Sequence, residues 1–286
     1  MLSLRFVHRL SLALTLSAAL MSVFGAAIAG AGSSLAAIAA QSPWLPAHRV
    51  AGAVVAALSL ALSLSAAFSE TGKWLKQLAH LVFLSVVALA VWAAVAPVSQ
   101  PSALAHAILA HIVFICMVLL TVATSPSWRR ERTLFEDRGS PSLRTLAWIA
   151  PPVVLLQAAF GAAYRYEALS FLPHAGWAFA ALLLLLMLGA FVLMAPAPVW
   201  LRREAIVLLS LLGLQLLLGV GALVVRMTPS EPIAADWLIL AVRVAHVTTG
   251  TLILGFTVAL SAGILRCAVV PSATMASNLA GSGQRG

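Results

Sequence analysis

Four of the seven histidines, His48, His106, His174 and His246, stand near the start of four long apolar runs. His106 and His246 each have a small residue four positions later, Ala110 and Gly250. Residues i and i+4 share a helix face, so each of these imidazoles has room beside it for something flat and large. Imidazole pairs from different helices of a bundle are a usual way to hold a haem iron on both faces. A lone histidine at a helix mouth reads as an interfacial polar residue. Four in a repeated pattern, at positions where polar groups are costly, read as ligands.

The runs that must position them are membrane spans. The chain has 286 residues, 62% of them hydrophobic and only 9% charged, where a soluble domain carries about 25% charged residues. A bilayer crossing takes about 20 apolar residues. Eight runs are long enough, at 9–30, 47–68, 78–97, 103–124, 145–164, 173–194, 205–225 and 238–265. The first is longer than the core of a signal peptide, about 7–15 residues, and is expected to be a retained helix. The fold class is therefore all-α, a polytopic membrane protein. Its net charge of +9 lies in short loops and marks topology, so no nucleic-acid partner is expected; the bilayer is. Cys116 and Cys267 give neither a disulfide framework nor a zinc spacing.

Basic residues alternate along the loops. Lys73 and Lys76 follow span two, and Arg129, Arg130, Arg132, Arg138 and Arg144 follow span four. Arg202 and Arg203 follow span six, and Arg266 and Arg285 lie in the tail. The stretches 31–46 and 98–102 contain no Lys or Arg. By the positive-inside rule both termini are cytoplasmic, in a multi-pass protein of the cell's inner (plasma) membrane. The Arg-rich segment 125–144 reads as a solvated linker between two halves, 1–124 and 145–265, with a small, polar tail at 266–286. Phe24-Gly25-Ala26-Ala27 ends span one and Phe160-Gly161-Ala162-Ala163 ends span five, and the histidines follow in the same order. Four helices separate the copies, so the repeats are parallel, related by an axis along the membrane normal. All four histidines then lie at similar depth near the outer surface, paired as His48 with His106 and His174 with His246.

Other groups suit a charged cofactor. Arg243 precedes His246 by about one turn, Arg165 and Arg226 end spans five and seven, and Arg49 follows His48. Guanidinium groups pair well with carboxylates, and haem propionates would be natural partners; the plainer reading is snorkelling to the interface. Gln157 and Gln215 each stand four residues before a glycine, as helix-to-helix glue or a pocket wall. His111 lies about 140° round the helix from His106 and is secondary. His80 lacks a counterpart, and His8 reads as a tail residue.

With these features in place, the chain resembles the heme A synthase family of cytochrome oxidase assembly proteins over most of residues 10–265. The resemblance rests on Gln157-x-x-x-Gly161-Ala162-x-x-Arg165, Gln215-x-x-x-Gly219, His246-x-x-x-Gly250, His106-x-x-x-Ala110 and His48-Arg49. It implies eight helices in two four-helix halves. It also implies oxidation of the methyl group of haem O to the formyl group of haem A, with oxygen from water. Carried over, His174 and His246 would ligate a haem b, and His48 and His106 the substrate haem O. The implied partners are a haem O synthase and cytochrome oxidase assembly proteins.

The sequence departs from that pattern where the chemistry lies. The family's glutamate four residues before the helix-two histidine is replaced by Trp44, residues 31–46 contain no cysteine, and the eight runs contain no Asp or Glu. Proton abstraction needs a base within hydrogen-bond reach, and the remaining outer carboxylates are Glu167, Glu231 and Asp236. The alternative reading is a non-catalytic b-type cytochrome or haem-binding assembly factor. A transporter of parallel repeats is a third, without the paired Gly/Pro interruptions that mark such a site.

Overall fold

The structure is a computed structural model of the chain and describes residues 3–30, 42–129, 132–227 and 234–269. Among the described residues eight helices are long and apolar enough to cross a membrane. We number them α1 (Leu4–Gly30), α2 (Leu45–Ala67), α3 (Lys73–Val95), α4 (Gln100–Thr124), α5 (Leu143–Arg165), α6 (Phe171–Met194), α7 (Val199–Met227) and α8 (Ala234–Cys267). In hydrocarbon every backbone N–H and C=O must be satisfied within the segment, which a helix does. The ends are set by local chemistry. Ser99 and Ser142 cap α4 and α5 through hydrogen bonds to the Ser102 and Thr145 amides. Proline in the first turn starts α2 and α4, where the missing N–H has no partner to lose. The protein is an all-α polytopic membrane protein.

The helices pack as two rings. In the first half α1 contacts α2, α2 contacts α3, α3 contacts α4 and α4 closes on α1; in the second, α5 to α8 repeat the cycle. The rings meet through α1 against α8, α4 against α5, and α4 against α8. Exchanging the halves maps this set of contacts onto itself, as a parallel repeat requires. The core follows the rings. Leu14, Leu62, Val82 and Met117 are buried in the first half, and Leu146, Leu185, Leu208 and Leu254 in the second.

Three expectations need correction. His8 is not in a tail but within α1, where its Nδ1 lies 3.2 Å from the Thr124 hydroxyl. That contact opens a polar seam between α1 and α4: Ser11 bonds Thr124 at 3.0 Å and Thr15 bonds Thr121 at 2.8 Å. Second, α7 starts at Val199, directly after Pro196 and Pro198, six residues before the expected boundary. Glu204 therefore lies inside a membrane-length helix. Third, the segment after α4 is anchored as well as solvated. Its strand β1 (Phe135–Glu136) pairs in parallel with β2 (Ala268–Val269), beyond α8. Asp137, 3% exposed, accepts from the Gly139 and Arg144 amides, and Arg144 donates to the Leu265 and Ala268 carbonyls. Two-residue strands have no periodicity for a sequence reading to find. Arg130, Glu231 and Arg285, and the side chains of Arg226 and Asp236, lie outside the described residues.

Candidate functional site

His48, His106, His174 and His246 gather at the end of the bundle opposite the arginine-rich loops. His174 on α6 and His246 on α8 face one another, their ring centres 6.3 Å apart and their planes at 81°. His48 on α2 lies within electrostatic reach of His106 on α4. The pairs expected from the repeat thus come together, each within its own ring of helices.

Glycine makes room for three of the four rings. A Cβ on Gly161 of α5 would stand 3.0 Å from Cε1 of His174. On Gly219 of α7 it would stand 3.3 Å from Cε1 of His246, and on Gly25 of α1 3.4 Å from Cε1 of His48. Gly25 and Gly161 are the repeated glycines of the sequence, and each seats the histidine of the next helix.

Two glutamines touch the second pair. The Gln157 amide lies 3.1 Å from Nδ1 of His174 and donates to the His174 carbonyl at 3.2 Å. The Gln215 amide lies 3.3 Å from Nε2 of His246. Their Oε1 atoms are enclosed without a partner, as are Nδ1 of His48, His106 and His246. Nδ1 of His48 and of His246 lie on the side of the glycine seats, 3.7 Å and 3.8 Å from a Cβ on Gly25 and Gly219. Tyr164 stacks on His174 at 6.3 Å, with ring planes 8° apart. The sequence reading passed over Tyr164, although it stands three residues after Gly161 and so within a turn of it.

The arginines divide. Arg165 turns inward and donates to the Ala26 carbonyl of α1 at 2.6 Å, across the boundary between the halves. It lies within electrostatic reach of Arg243, His111 and His246. Arg243 and Arg49 are exposed. His111 donates Nδ1–H to the Ala107 carbonyl of its own helix at 2.7 Å, and His80 pairs with the Ser63 hydroxyl. Neither joins the pairs.

No family model, curated protein or solved structure matches this chain.

Whether haem suits the second pair can be tested on geometry. Metal–imidazole bonds of about 2.0–2.1 Å call for roughly 4 Å between two ligating nitrogens, and the 6.3 Å between the ring centres of His174 and His246 leaves room for that separation. The crossed planes and the glycine seats also suit a flat group held between the two rings. Among the described residues no three His, Cys, Asp or Glu side chains form a metal cage, but a haem needs only two protein ligands, one on each face.

The first pair has the same plan with one departure. Trp44 caps α2, and its carbonyl accepts from the His48 amide at 2.9 Å. Position 44 is thus one turn from His48, and an indole stands where the resemblance calls for a carboxylate. Glu167 is exposed in the turn after α5, with a left-handed φ of 61°. That turn belongs to the second half.

Proposed function

We propose that this protein is a haem-binding membrane protein of the heme A synthase type. In this reading His174 and His246 hold a haem b in the second half, and His48 and His106 hold the substrate haem O in the first. The observation that carries the reading is the 6.3 Å, near-perpendicular pairing of His174 and His246. The haem supplies electron-transfer chemistry when bound. The chain supplies the two imidazoles, the glycine seats and the Gln157 and Gln215 amides. Amide oxygen and nitrogen are assigned from contacts. With the Gln157 amide turned, Oε1 would accept from Nδ1–H of His174 and fix the tautomer that leaves Nε2 as ligand. Arg165 and Arg243 would meet the propionates. Both termini would face the cytoplasm, since the arginine-rich end opposes the histidines, and the partners would be a haem O synthase and cytochrome oxidase assembly proteins.

Trp44 favours a second reading, a non-catalytic b-type cytochrome or haem-binding assembly factor that keeps the sites without the oxidation. An indole neither accepts a proton at its N–H nor carries charge. Chromatography of haem extracted from protein co-expressed with a haem O synthase separates the two. Haem A or a hydroxylated intermediate beside haem B supports the synthase. Haem B alone supports the cytochrome. No haem of any kind overturns both.

A further inference from the structure

The opposite, arginine-rich end of the second half contains polar groups that the histidine site does not use. Glu204 Oε2, Ser261 Oγ and Thr257 Oγ1 are each enclosed without a hydrogen-bond partner. Helical geometry places them together. On α8, His246, Gly250, Thr257 and Ser261 fall within about 60° of one another round the axis. On α7, Glu204 lies about 20° from Gln215, three turns away. Gln215 faces Gly250, Gly219 faces His246, and Leu201 faces Gly263. This antiparallel register sets Glu204 level with Ser261 and Leu208 level with Thr257. Thr257 and Ser261 are 0% and 3% exposed. Neither hydroxyl turns back to a helix carbonyl, the usual outlet for such a group. The buried Leu208, Leu212, Ile253 and Leu254 separate this cluster from the histidines.

The nearby cations are engaged elsewhere. Arg202 on α7 donates to the Ala195 carbonyl, Arg144 on α5 to the Leu265 and Ala268 carbonyls, and Arg266 on α8 lies over the Trp128 ring. Arg203 is exposed, and α6 contributes no charged residue. Among the described residues no ion pair reaches Glu204. Glu204 is half-buried with Oε2 enclosed; a carboxylate oxygen shut from water without a counter-charge is disfavoured, whereas a neutral carboxyl can both donate and accept. A buried water typically satisfies about three otherwise unpaired polar groups, and three are present here.

We propose that Glu204, Ser261 and Thr257 form a proton-binding site, in which a protonated Glu204 carboxyl and the two hydroxyls share an internal water. Infrared spectroscopy of the purified full-length protein at neutral pH tests this. The wild type is expected to show a carboxylic C=O band that Glu204→Gln removes and that Ser261→Ala and Thr257→Val each move. A wild type minus Glu204→Gln spectrum without a carboxylic band would overturn the proposal. So would a band that neither hydroxyl variant moves. If the glutamine variant fails to fold, Glu204→Asp replaces it, with a shifted band as the expected result and an unshifted one as the refutation. None of these readouts depends on haem.

Discussion

Gly161 and His174 are in closest permitted approach: a Cβ on the glycine would stand 3.0 Å from Cε1 of the imidazole and 3.2 Å from Nδ1. The glycine is the second residue of the Phe160-Gly161-Ala162-Ala163 element of α5, and the ring belongs to the first turn of α6. A seam between two consecutive helices therefore fixes where the imidazole points.

Gly161→Ala is expected to push the ring aside by a few tenths of an ångström and to weaken haem retention without unfolding the bundle. The control is Gly213→Ala on α7, where nothing lies within 4 Å of an added Cβ. There the alanine gains up to about 1 kcal/mol of helix propensity and leaves the haem unaffected. Haem-to-protein ratios after purification check both. Equal loss in the two variants would contradict the seating argument.

Replacing one histidine of a pair should affect its own half only. His174→Ala or His246→Ala is expected to abolish haem b retention, and His48→Ala or His106→Ala to preserve it. Visible absorption of the four purified variants reads this directly. Normal haem b in both second-half variants would refute the site.

Gln157→Leu should keep the fold and loosen the ligand. Partners of a metal-bound histidine are worth about 10–100-fold in metal affinity, and Gln157 is the polar side chain at Nδ1 of His174. Haem dissociation into a large excess of apo-acceptor protein is expected to quicken by that order, and Gln157→Glu to rescue it in part. An unchanged rate would reduce Gln157 to helix packing.

The spans and the repeat could be read from the sequence because both are long-range patterns of composition, and the histidines fell at equivalent points of each half. The site was only partly readable. Gln157 and Gln215 drew notice by their spacing to glycine, but that they touch imidazoles depends on neighbouring helices. Glu204 escaped because a boundary drawn at residue 205 left it in a loop, while the helix begins just past Pro198. His8 looked terminal because the first span was drawn from residue 9, yet its ring reaches Thr124, 116 residues away.

The α1–α4 seam is a stability element. Thr124 lies at its centre, bonded to Ser11, near His8 and to the Leu120 carbonyl. Interhelical hydrogen bonds in membrane proteins are worth about 0.6 kcal/mol on average. Thr124→Val is therefore expected to lower unfolding free energy by about 1 kcal/mol in a detergent titration, with haem content preserved. A loss of haem without a loss of stability would contradict this.

Asp137 anchors the segment after α4. Asp137→Ala leaves the Gly139 and Arg144 amides without their acceptor, at a cost of about 1–3 kcal/mol. It is expected to free β1 from β2 and to open residues 132–142 to limited proteolysis, with the spanning helices protected.

The contact between α4 and α8 has a consequence for how such a molecule can be built. Each helix is the other's counterpart, so that contact is self-complementary, and the α1–α8 and α4–α5 contacts are a matched pair about the same axis. A two-fold homodimer of one four-helix chain would present the same arrangement. Both copies insert in the same sense because each crosses the bilayer an even number of times. In this molecule the tether at 125–144 turns a dimer interface into the interior of one chain, and once the two sides are covalently joined each is free to specialise.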